Sequence, residues 1–174
     1  MPNPFLHRQM QHDVWATEQL VARCRTLSPD QLELGSPGTY GTIRATLQHI
    51  VSADEGYLVR MTGNVLHERP FRGNEPASLD EIATHLSHVK DAIERLFAGP
   101  TLDAERLITD TPLRAPGAPR FEMRTWVPAS QLINHGVDHR SHINTILATH
   151  GLETVDLQVW PYAMALGASY EAKP

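Results

Sequence analysis

Apolar residues recur along this chain at steps of three and four, the spacing that puts them on one side of a helix. The first such stretch runs from about Leu6 to Leu27 and carries Met10, Val14, Leu20, Val21 and Cys24. It is followed by "SPDQL", where Ser28 can cap a short turn with Pro29 just inside it. The second runs from about Thr42 to Met61, with Ile43, Leu47, Ile50, Tyr57, Leu58 and Met61 as its stripe, and Gly63-Asn64 end it. The third opens at "SLDEI", where Ser78 three residues before Glu81 is a capping-box pattern. Its stripe is Leu79, Ile82, Leu86, Val89, Ile93 and Leu96, and it stops at Gly99-Pro100. The fourth runs from about Pro128 to Thr149 through Leu132, Ile133, Val137, Ile143, Ile146 and Leu147, and ends at Gly151.

Between the third and fourth helices, Gly99 to Trp126 holds Pro100, Pro112, Pro116 and Pro119, which argue against a helix there. Loose alternation around Pro116-Gly117 fits a small hairpin or an extended crossover. The late segment "DLQVWPYAMALG" is short and apolar enough to pack back on the rest. The pattern therefore predicts an all-α chain: a four-helix bundle with a long crossover between helices three and four, residues 1–174 forming one domain.

Composition narrows the function classes. The 174 residues carry a net charge of -5, which argues against a nucleic-acid partner. No apolar run is long enough to span a membrane, and "MPNPFLHRQMQHDVW" lacks the apolar core of a secretory signal. The single cysteine, Cys24, fits a reducing cytoplasm, and on its apolar stripe it reads as a packing residue.

The unusual feature is ten histidines. In "NHGVDHRSHINTIL", His135, His139 and His142 return to nearly the same helix face. Histidine is the commonest metal ligand, yet at this density roughly half of random chains would hold an H-x-x-x-H pair by accident. A catalytic divalent site commonly takes three protein ligands, so another element must contribute. His67 reads as loop surface, and His85 and His88 in "THLSHVK" read as the polar face of helix three. His49 sits beside the stripe of helix two, next to Ile50, as either a ligand or an ordinary hydrogen-bonded histidine.

Several stretches together resemble the DinB/YfiT-like family of metal-binding four-helix bundles. "TIRATLQHIVSADEGYLVRM" is similar to that family's second helix with its T-L-x-H pattern, and "NHGVDHRSHINTILATHG" to its N-H-G-x-x-H-R-G-Q segment. "DVWATEQLVARCRTLSPDQL" resembles the first helix, with Trp15 at an aromatic position, and "DLQVWPYA" the C-terminal segment. The resemblance implies His49, His135 and His139 as ligands of a divalent metal, with Arg140 directly after the last. It departs from the family where Arg-Gly-Gln has become Arg140-Ser141-His142, and by spacing alone His139 and His142 could chelate as well.

Three imidazoles leave the ion its full charge and Lewis acidity, and Zn, Ni, Fe, Mn and Co all accept such nitrogen. The resemblance implies a metal-dependent transferase that uses a low-molecular-weight thiol on a small-molecule substrate, with a hydrolase behind it. The other reading is a non-catalytic, metal-stabilised bundle that binds a small molecule or a protein. No catalytic residue is assigned. Asp54 and Asp138 stand where they could accept an imidazole N–H, or be solvated carboxylates. Arg140 could receive a substrate carboxylate or pair with a surface acid, and Tyr57 and Trp126 read as core aromatics. The resemblance and the apolar "VWPYAMAL" tail together suggest a homodimer.

Overall fold

The computed structural model describes residues 3–64, 70–71, 75–109 and 121–169. The chain is mostly helical. In order it forms α1 (Pro4–Cys24), α2 (Pro29–Leu32), α3 (Ile43–Thr62), α4 (Leu79–Ala98), β1 (Leu107–Thr109), β2 (Glu122–Arg124), α5 (Trp126–Thr149) and α6 (Val159–Ala165). The long helices stand where the apolar spacing predicts them, with ends set by local chemistry. Asn3 caps α1, its Oδ1 accepting from the Phe5 and Leu6 amides at 3.1 Å each, so the helix starts at Pro4 rather than Leu6. Thr42 caps α3, and Gly63 ends it in the left-handed conformation (φ 74°). The capping box of α4 is formed: the Glu81 amide donates to Ser78 Oγ, and the Ser78 amide donates to the Glu81 carboxylate at 2.8 Å.

Helix α1 packs on α4 and α5, and α3 packs on the same two helices. Between them lie Met10 and Leu20 from α1, Leu47, Ile50 and Leu58 from α3, Ile82 and Ile93 from α4, and Leu132, Ile143 and Ile146 from α5, all fully buried. Burying each such side chain contributes about 1.5–3 kcal/mol, which is why periodicity outweighs local propensity here. Cys24 is in this core, and burial pushes its thiol up to about 12, so it packs and does not react.

The connection from α4 to α5 carries a small antiparallel pair, β1 with β2, in the register Leu107 opposite Arg124 and Thr109 opposite Glu122. The turn read around Pro116-Gly117 lies outside the described residues, as does His67. The tail returns onto α1, as its apolar character suggests. Asn144 holds the Val155 backbone from both sides (2.9 and 3.0 Å), His12 Nε2 lies 2.9 Å from the Leu157 carbonyl, and Tyr162 of α6 is buried against Trp15. Among the described residues, no helix is long and apolar enough to cross a membrane.

Three expectations are corrected, the first being Val137, which is half exposed rather than part of the buried stripe of α5. His85 is not on the polar face of its helix: it is 2% exposed, with Nε2 3.3 Å from buried Glu55 of α3 and its ring against Phe71. Three residues after Ile82 and four before Val89, it falls within the stripe, while Thr84 and Ser87 turn outward. Trp126 is not a core aromatic but half exposed in the first turn of α5. Replacing fully buried Ile146 by Ala is expected to lower unfolding free energy by about 2–5 kcal/mol in urea titration. A loss below about 1 kcal/mol would mean that the helix interface is looser than described.

Candidate metal centre

The α3–α5 contact is the most extensive helix pairing among the described residues, and the histidines meet in it. On α5, His135 and His139 are one turn apart on the strip facing α3. On α3, His49 lies at the edge of the buried stripe, half-buried between Gln48 and Ile50. The Nε2 atoms of His49 and His135 are 2.9 Å apart, and one donor atom from each of His49, His135 and His139 lies within 4.8 Å of the others. A tetrahedral ion with bonds of about 2.0–2.1 Å needs ligand nitrogens about 3.3 Å apart, so small ring rotations suffice to enclose one. The donor set fits a divalent cation.

Two tyrosines frame the cluster. Tyr40, from the loop before α3, stacks on His49 (ring centroids 4.0 Å, planes 13° apart) and meets His139 edge-on at 4.9 Å. Tyr57, two turns after His49, stands edge-on to His135 at 5.6 Å. Tyr57 thus lines the site rather than serving only the core. Sequence reading missed Tyr40 because "GTYGT" is loop without periodicity, and only the tertiary approach shows what it covers.

The electrostatics favour neutral rings. Burial and the neighbouring imidazoles bring His135 down to about 4, burial followed by His139 lowers His49, and burial followed by His142 lowers His139. Near pH 7 all three therefore offer lone pairs, and among the described residues no carboxylate joins their triad.

The sequence profile of the DinB family matches residues 1–165. The chain belongs to the DinB family. A crystal structure of a DinB-like protein from Bacillus cereus ATCC 10987 superposes with a TM-score of 0.58 and 22% identity, over 85% of this chain and 94% of that one. That likeness concerns the fold. No curated protein sequence matches the chain.

In the same segment of this DinB chain, the arginine serves packing. Arg140 reaches across to α1, donating to Asp13 Oδ1 at 2.7 Å, and to the Asp13 carbonyl and Thr17 Oγ1 at 3.2 Å each. Both partners are buried, so the arginine is not a member of a surface ion pair. Asp54 is buried too, and among the described residues neither of its oxygens has a hydrogen-bond partner. It therefore holds no imidazole, and Asp138 is exposed. Burial, then the nearby Asp13, raise Asp54 well above the carboxylate range against the pull of Arg140. The shift favours the protonated form of Asp54, and burial raises Asp13 as well, against the charge and hydrogen bond of Arg140. Asp13 was legible in principle: in "QMQHDVWATEQL" it shares a face with Met10, Val14, Thr17 and Leu20.

Gly136, between His135 and His139, lies against this ion pair. A Cβ there would collide with Asp13 Oδ1 and lie 2.6 Å from Arg140 Nη1. Gly136→Ala is expected to cost about 3 kcal/mol or more, because it forces apart a buried charge pair. Denaturant unfolding checks this, and a cost within about 0.5 kcal/mol would show that the pair yields freely.

Proposed function

We propose that this chain is a four-helix bundle, a single domain over residues 1–174 with residues 99–125 as crossover, that binds one divalent metal ion through His49, His135 and His139. The observation that carries this reading is the convergence of three imidazoles, held neutral by burial, from two helices onto one point. In this reading the protein is a metal-dependent enzyme, a transferase acting on a small molecule with a low-molecular-weight thiol. A divalent ion held there would supply Lewis acidity toward a thiol or water, and three protein ligands leave positions open for it. The residues' part is to hold and orient. Tyr40 stacks on His49 and Tyr57 stands edge-on to His135, so ring contacts from both tyrosines bear on the orientation of these imidazoles.

One observation favours a second reading, a non-catalytic, metal-stabilised bundle: Asp138 and His142 offer further donor atoms beside His139. A hydrolase differs from the transferase only in which nucleophile enters. Screening the metal-loaded protein with small thiols and electrophiles separates the three. A homodimer in a reducing cytoplasm accords with Val159, Trp160, Met164 and Leu166, apolar and half exposed or more on and beside α6. Sedimentation at micromolar concentration should show two copies, and a monomer would remove that part of the proposal.

Two measurements test the metal. Replacing His49, His135 or His139 by Ala should each sharply reduce zinc or nickel in metal analysis, and full retention by His49→Ala would exclude the three-ligand site. The second is pH linkage. The folded-state values lie below the unfolded imidazole value of about 6.5, so this stability is complete above it and falls away on acidification toward the folded values. Protons also compete with the ion for the same nitrogens. Excess Zn or Ni should therefore raise the melting temperature at pH 7.5 and much less near pH 4, where His135 takes up its proton. An equal rise at both pH values, or none at either, would contradict imidazole coordination.

A further inference from the structure

We propose that α5 carries a second position for the cation, formed by Asp138, His139 and His142 and sharing His139 with the first. One donor atom from each of these residues lies within 4.8 Å of the others. The helix dictates the arrangement: offsets of three and four place His142 one turn beyond His139 and Asp138. The rings of His139 and His142 stand 5.3 Å apart at 77°. Their Nδ1 atoms are both buried, and among the described residues neither has a hydrogen-bond partner. Buried polar nitrogens in folded proteins are almost always bonded, so two orphans on adjacent rings call for a ligand. The exposed carboxylate of Asp138 is the third donor, and it brings the negative charge that the all-imidazole site lacks.

The two positions differ in access and in hardness. The inner one is three nitrogens between helices, while the outer one is two nitrogens and an oxygen, open to solvent at Asp138. A neutral imidazole has one unprotonated nitrogen, so His139 serves one ion at a time. The positions are therefore alternatives for a single ion: the outer captures a hydrated dication from solvent, and the inner holds it. The proposal depends on the inner-site reading only for this exchange, because the outer chelate stands on its own residues.

The test is zinc chloride titration by calorimetry, with cobalt(II) absorbance in parallel, on variants whose fold is verified by circular dichroism. His49→Ala/His135→Ala removes the inner site but leaves the outer one. It should still bind one equivalent, more than about 100-fold more weakly than the wild type, beyond what loss of an outer hydrogen-bond partner costs. Adding His142→Ala should abolish that residual binding, and adding Asp138→Asn should weaken it. His49→Gln/His135→Gln serves if the alanine pair does not fold. No binding by the folded double variant, or binding indifferent to His142→Ala, overturns the proposal. Failure of the inner-site reading looks different: His49→Ala alone would then bind as tightly as the wild type. In that case the outer position is retained if His142→Ala removes the ion, and rejected if it does not.

Discussion

The ion pair between Asp13 and Arg140 is the constraint around which the helices are arranged. Both groups are within a few per cent of complete burial, and a charge in such a place is stable only with its counter-charge in contact. Removing one partner of such a pair commonly costs about 3–5 kcal/mol, whereas replacing both by apolar groups can cost nothing. The pair therefore acts less as a source of stability than as a register pin. Helix α1 can meet α5 only where Asp13 faces Arg140, and only with a glycine at 136 to admit the carboxylate. Because Gly136 follows His135 and Arg140 follows His139, that pin also sets which way both histidines face.

Asp54 completes this interior. Two carboxyls beside one guanidinium would leave a net negative charge in the core, and burial favours the protonated form of each while Arg140 opposes it. At the neighbouring histidines of α3 and α5, burial acts with the opposite chemical result. It strips protons from imidazoles and leaves three neutral nitrogens pointed at each other. The fold thus holds a buried charge network beside a cluster with no fixed charge of its own. Such a cluster leaves a bound cation unneutralised, and that is the condition under which it polarises a ligand most strongly.

The sequence by itself determined the helices and their inner faces, because periodic burial is a local property of the chain. The stripes of α3 and α4, the Ser78–Glu81 box and the Gly63 stop all follow from neighbours within a turn or two. It also marked His49, His135 and His139, though spacing alone could not choose His135 over His142 as the partner of His139. The family pattern supplied that choice, and the structure brings both arrangements within ligand distance. What only the tertiary structure decided is where polar side chains go once helices meet. His85 turned inward to Glu55, Arg140 took buried Asp13 rather than a surface acid, and Tyr40 came from a loop to stack on His49. Each of these contacts joins residues at least nine positions apart and rests on one close approach between elements. A buried polar group is recognised by its partner, and the partner is set by packing rather than by any period along the chain.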